Sequence, residues 1–333
     1  MSLREHRIVD RNALVIGAFI LLTLALAVLS VGTGDFPLTI GEVLKTLAGQ
    51  GNKAQYLVVT GRLPRVLVAI LVGAALGLAG AVFQTLTRNP LGSPDIIGFS
   101  TGSATGGVAV IVLIGGGPGP VAIGALTGGL LTAALVAALC APHGLLSGRL
   151  LLIGIAVSSV LVGLNSYLLT RTTVEAASQA STWLVGNLAG RDWSYLLPIG
   201  VAMVLLVPAV LVCAKPLRMM EMGDDAAIGV GVDVPRLRPV LFVLAVALTA
   251  MATATAGPVP FIALTAPQIA KRLTRKPGPN LVASAFLGSC LVVAADYLGQ
   301  RLVNASLLPV GVVAAALGGA YLLWMLIFQR KTR

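Results

Sequence analysis

Apolar residues in this chain come in long, nearly unbroken runs, not in the alternation of a half-buried strand. Nine runs stand out, at 13–31, 65–83, 96–114, 121–141, 150–170, 194–213, 239–256, 281–298 and 308–328. Each is roughly 18–23 residues, the length that carries a helix across a bilayer core. A tenth apolar piece, 261–273, is short and contains Pro267. By itself it reads as a re-entrant or half-length segment. β-Barrel periodicity is absent. The pattern predicts an all-α membrane protein.

Charge decides the count. With nine spans the termini lie on opposite sides, and with ten they share one. Ten spans with an inner N-terminus place Arg4, Arg7, Arg11, Arg88, Arg149, Lys215, Arg218, Arg236, Arg238, Lys271, Arg272, Arg275, Lys276, Arg330, Lys331 and Arg333 inside. These are sixteen of the 23 basic residues, the asymmetry expected of cytoplasmic segments. Nine spans would export the basic tail. The expectation is therefore a ten-helix transmembrane bundle in a cytoplasmic membrane: segment 1–12 inside, one transmembrane domain over 13–328 with its longest inner loop at about 215–238, and an inner tail, 329–333. Ala25-Leu26-Ala27 offers a signal-peptide alternative, but its apolar stretch is long for one.

Composition agrees. Of 333 residues, 57% are hydrophobic and 11% charged, against about 25% charged in soluble domains. The 39 glycines favour closely packed helices. The net charge of +11 is explained by topology and gives no reason to expect nucleic acid. Cys140, Cys213 and Cys290 lack metal-site spacing, and two distant histidines make no metal constellation. There is no P-loop, HExxH or GxSxG. The span cores contain no Lys, Arg or Glu, and only Asp296 falls within a span. Ion-coupled transporters usually bury such groups. The chain thus offers a solute pathway without a visible engine, which points to an engine in another subunit, with a stand-alone secondary transporter as the alternative.

Several segments carry both a plain and a functional reading. Arg62-Leu63-Pro64-Arg65 places Pro64 in the first turn of span two; its arginines either snorkel to lipid phosphate or dock an acidic partner. Arg88-Asn89-Pro90-Leu91-Gly92-Ser93-Pro94-Asp95 is a tight turn, with Ser93 a cap for the third helix and Asn89 at the cytoplasmic mouth. Loop 215–238 reads as short interfacial helices or as a surface gripped by a motor. Trp183 and Trp193 read as an aromatic belt. Ala256-Gly257-Pro258-Val259-Pro260-Phe261 breaks the helix. Such breaks survive at membrane depth where they line a cavity or are buried in protein, so Pro258 and Phe261 are candidate pathway wall.

Taken in order and spacing, these segments resemble FecCD-type permeases, the membrane subunits of type II ABC importers for ferric siderophores, haem and cobalamin. Further matching pieces are Val72-Gly73-Ala74-Ala75-Leu76, Gly80 with Gln84, Gly186, Gly223, Ala227, Gly231, Ala295-Asp296 and Leu308-Pro309-Val310-Gly311-Val312. The resemblance covers most of 12–328. It implies a ten-helix fold, a second permease subunit enclosing a central pathway (a heterodimer is favoured), and two ATP-binding subunits that hold ATP and Mg and grip the inner loop around Gly223, Asp224, Ala227 and Gly231. It also implies an extracytoplasmic binding protein docking at Arg62 and Arg65, a cytoplasmic gate at Asn89 and Ser147, and Gln84 in the pathway wall. No cofactor is expected in this chain, and no enzymatic activity. Two positions depart from the family pattern. Gln300 stands where an arginine is frequent, with Arg301 one residue, about 100° of helix, away; Arg301 is the doubtful third docking residue. Gln268 stands where histidine is common; together with Gly318-Gly319-Ala320-Tyr321-Leu322-Leu323-Trp324 this resembles permeases paired with catecholate or mixed siderophores.

Overall fold

The structure is a computed structural model that describes residues 3–34, 36–141, 149–302 and 308–329. Among the described residues the chain forms fourteen helices: α1 (Leu3–Gly32), α2 (Ile40–Leu47), α3 (Lys53–Thr87), α4 (Phe99–Leu113), α5 (Pro118–Cys140), α6 (Arg149–Thr170), α7 (Val174–Leu184), α8 (Trp193–Val212), α9 (Ala214–Met220), α10 (Asp224–Gly229), α11 (Val234–Ala256), α12 (Ile262–Thr274), α13 (Leu281–Gly299) and α14 (Val310–Gln329). Every apolar run read from the sequence becomes a helix, including the short piece, which is α12. The four added helices, α2, α7, α9 and α10, lie in connections. Among the described residues seven helices are long and apolar enough to cross a membrane: α1 from Arg11, α3, α5, α6, α8, α11 and α13. The apolar helix α4, at 15 residues, is shorter.

α3 is the axis of the bundle. Its most apolar stretch is 78% buried, against 17% for α6 and α8. Helices α13, α11, α12 and α8 pack around it. The seam with α13 is made of small residues. A Cβ on Gly73 would strike the Gly288 carbonyl, and one on Gly77 the Ser284 carbonyl. Backbones meet here because no side chain intervenes. Lower on α3, Phe83 meets Phe99 and Phe242 with ring centroids 5.5–5.7 Å apart. This fully buried triad fixes α4 and α11 against the end of α3.

The structure corrects three local expectations. Pro64 does not start a helix. α3 begins eleven residues earlier, where Asn52 accepts from the Gln55 amide and the Gln55 side chain accepts from the Asn52 amide, a reciprocal cap that a polar pair supplies and proline does not need. The helix runs 35 residues, about 50 Å, so Arg62 and Arg65 sit in its third and fourth turns. Ser93 does not cap α4 either. It accepts from Ile96 N at 3.4 Å within a turn, and α4 starts after Gly98, whose φ of +92° only glycine adopts readily. Trp183 is not part of an aromatic belt: it is buried on α7 against Gly107 of α4. Trp193 remains half-exposed at the start of α8.

The break after α11 is resolved by backbone contact. Asn187 N donates to Ala256 O at 2.7 Å, and Gly311 N donates to Gly186 O at 3.2 Å. A Cβ on Gly186 would strike the Pro258 carbonyl, and one on Gly311 the Val185 carbonyl. Three chain segments therefore cross where side chains are absent, and the polar groups freed by the break find partners within protein, as membrane depth requires.

Candidate functional site

Two groups of polar side chains sit on α3 near its two ends, Arg65 and Arg88 being separated by about 35 Å of helix. At the first, Arg65 grips Asp296 of α13 in a fork: Nη2 donates to Oδ1 at 2.8 Å and Nε to Oδ2 at 3.0 Å. The aspartate side chain is only 3% exposed and the arginine 18%. Gln300 completes the pair, its amide donating to Asp296 Oδ2 at 2.8 Å and to Ser30 Oγ at 3.4 Å. The network ties α1, α3 and α13 together. Gln300 lies one turn after Asp296 and shares its face, whereas the Arg301 side chain projects outward and is exposed. Arg62 is half-buried; its Nη1 donates to Val31 O at 2.9 Å and its head lies over Gly34. Thus of the three arginines expected to dock a partner, Arg65 is occupied by an internal carboxylate, Arg62 leans on the end of α1, and Arg301 is on the surface.

At the other end, Arg88 closes α3 in a left-handed conformation, φ +48°. This aims its side chain at the loop between α9 and α10. Its Nη2 donates to Asp224 Oδ1 at 2.9 Å, and Arg238 Nη2 donates to the same oxygen at 2.6 Å. Lys271 of α12 donates to Glu221 Oε1 at 2.8 Å. Gly223 stands between the two acids at φ +118°, and Gly231 follows α10 at φ +89°. Leu217 and Met220 of α9 and Ala227 of α10 are buried in the main core, so the loop is seated on the bundle by apolar packing and three ion pairs. Next to Arg88, Asn89 folds its side chain onto its own turn, Oδ1 accepting from Leu91 N at 2.9 Å. Gln268 donates to Pro90 O at 2.6 Å and to Gln84 Oε1 at 3.3 Å, and Gln84 donates to Leu264 O at 2.9 Å. A cavity of about 410 Å³ opens here, lined by Gln84, Arg88, Asn89, Glu221, Gln268 and Lys271 among others. Ser147 lies outside the described residues.

A second cavity, of about 480 Å³, lies between α4, α6, α14 and the break after α11, with Pro258, Val259 and Pro260 in its wall. Pro258 therefore lines one cavity and Gln84 the other, while Phe261, at φ +67°, packs against Gly318 of α14. The sequence reading missed two polar groups here. Asp95, in the α3–α4 connection, accepts from the Ser100 hydroxyl at 2.6 Å through Oδ1, while its buried Oδ2 has no partner. Burial pushes its carboxyl up to about 6, against the pull of the Ser100 bond. Asn165, 5% exposed, is likewise unpartnered at Oδ1. A lone asparagine within an apolar run was the available signal. The pairings of Arg88, Arg238 and Lys271 were also missed; they join residues 14 to 136 positions apart. Among the described residues no group of three or more His, Cys, Asp or Glu could hold a metal ion.

The FecCD transport family model matches residues 21–328. The chain is 42% identical over 302 residues to the ferric enterobactin transport system permease protein FepG of Escherichia coli K12, covering 90% of this chain and 92% of that one. It is 33% identical over 323 residues to the Fe(3+)-citrate import system permease protein YfmE of Bacillus subtilis 168, covering 96% and 97%. A solved metal-chelate type ABC transporter in an inward-facing conformation superposes with a TM-score of 0.83 at 28% identity, covering 94% of this chain and 98% of that one. With that model matched over residues 21–328 and relatives 42% and 33% identical over nine-tenths or more of the chain, the chain belongs to the FecCD transport family.

Proposed function

We propose that this chain is the membrane permease subunit of an ABC importer that passes a ferric siderophore inward across the cytoplasmic membrane. The 42% identity to a ferric enterobactin permease over nine-tenths of the chain carries that reading. The geometry supports it. The bundle has one cavity beside the helix break and another at the C-terminal end of α3, its sequence has no P-loop, and a loop of short helices is seated on one end by ion pairs and apolar packing. In this reading ten helices cross the membrane (α1, α3–α6, α8 and α11–α14), with both termini cytoplasmic. Two partner subunits bind ATP and Mg and engage α9–α10. A second permease, in a heterodimer, covers the exposed apolar faces of α6 and α14, and an extracytoplasmic binding protein meets the rim at Arg62 and Arg301, with Arg65 supporting that rim through Asp296. Asn89 and Ser147 belong to the inner gate, and Pro258, Phe261 and Gln84 to the pathway.

The reaction is vectorial. No bond to the chelate forms or breaks. The wall of the larger cavity is mostly apolar, so a bulky chelate is held weakly there and can leave. The test is uptake of ⁵⁵Fe-labelled siderophore into proteoliposomes containing this chain, a partner permease, the ATPase and the binding protein. ATP-dependent accumulation is expected. Accumulation by this chain alone, driven by an ion gradient, would instead establish a secondary transporter.

A further inference from the structure

The ion pairs around Gly223 do more than seat a loop. We propose that Glu221 and Asp224 are positioning residues, two arms of a relay that converts movement of α9–α10 into movement of the inner mouth; the proposal rests on the permease reading above. The first arm runs from Asp224 to Arg88, the residue immediately before Asn89, and the same oxygen holds Arg238 at the start of α11. The second runs from Glu221 to Lys271, which lies one turn beyond Gln268 on α12. Gln268 in turn donates to Pro90 O and Gln84 Oε1. Both arms thus end on the stretch 84–90, reaching it from different helices. Arg88, Asn89, Glu221, Gln268 and Lys271 all line the one cavity at this mouth.

Three features fit a relay better than a passive clamp. The arms leave the loop on either side of a glycine at φ +118°, a conformation other residues adopt with strain, and this turn points the two acids at different helices. The pairs are part-exposed: Arg88 is 46% and Lys271 57% exposed, Asp224 33% and Glu221 28%. Such pairs add little to stability and can break and re-form in water. The remaining pair of the loop, Arg236 with Asp233, spans only three residues and connects to no other helix. The ion pairs that leave the loop lead to the mouth and to the start of α11.

The test uses the assembled transporter in proteoliposomes, comparing wild type with Glu221→Lys, Lys271→Glu and the double exchange, and with Arg88→Gln, which breaks the first arm from the α3 side. ATP hydrolysis, ⁵⁵Fe-siderophore uptake and the distance between spin labels at Leu91→Cys and Ile228→Cys are read on each. Each single variant is expected to assemble and hydrolyse ATP but to lower chelate moved per ATP by about five- to tenfold, the size of an ordinary coupling between sites. The ATP-driven change in label distance should shrink with it. The double exchange, which restores opposite charges, should recover both. Single variants that keep full coupling, or a double exchange as uncoupled as its parents, would overturn the relay while leaving the permease reading intact. A wild-type assembly that shows no ATP-driven uptake would overturn both. If Glu221→Lys fails to assemble, Glu221→Gln is read in the same way.

Discussion

The two ends of α3 solve the problem of charge near a membrane in opposite ways. At Arg65 a single carboxylate is buried, held by a two-bond fork and completed by Gln300, so its acceptors are used and water is excluded. At Arg88 the carboxylates are part-exposed, one is shared between two arginines, and glycines at positive φ flank the loop. A buried, satisfied pair is costly to break because one charge is left without partner or water. An exposed pair exchanges its partner for water at little cost. The first end is therefore fixed, and the second can be re-arranged by whatever grips it.

Four substitutions bear on this contrast. Arg65→Ala should be the most damaging, about 3–5 kcal/mol, because it strands Asp296; a thermal melt in detergent reads it, and adding Asp296→Asn should recover part of the loss. A small effect would mean that water reaches Asp296 and the ends do not differ. Asp95→Asn comes next and should stabilise. The folded carboxyl ionises at about 6 and the unfolded one at its usual lower value, so between these the folded chain holds the extra proton. Wild-type stability accordingly falls as pH rises through that window, and the loss persists above it. The variant should be more stable at pH 7 by up to roughly 3 kcal/mol, with the difference vanishing near pH 4. A constant difference between the two melts across pH would refute this. Asp224→Ala should cost no more than about 1 kcal/mol, the range of exposed pairs, even though transport falls. A loss matching that of Arg65→Ala would show the loop end to be just as rigid. Arg301→Glu should leave the melting temperature within about 0.5 kcal/mol of wild type, its effect confined to affinity for an acidic binding protein. A clear melting shift would mean that Arg301 belongs to the buried network.

Much of this was legible along the chain. The apolar runs named every long helix because hydropathy is local and a bilayer demands length. The break at Pro258 was visible because proline and glycine interrupt a helix wherever they pack. The loop at 215–238 was read as short helices, and α9 and α10 are there. The phase difference between Gln300 and Arg301 was also readable, since helical rotation per residue is fixed. Other features were hidden. Pro64 looked like a helix start because the polar stretch before it concealed a capped extension of α3. Trp183 looked interfacial because an aromatic residue in a connection says nothing of the glycine it will meet on α4.

The sequence by itself determined that the chain is helical, membrane-spanning and built like FecCD permeases, since composition, run length and the order of motifs are properties of the chain. Only the tertiary structure decided which charges meet. Arg65 and Asp296 are 231 residues apart, and Arg88 and Asp224 are 136 apart. They are brought together by the packing around α3, which along its α13 face needs glycines whose partners on the other helix the sequence does not name. Pairing in space follows from which helices can approach one another, and that depends on surfaces formed only once the helices exist.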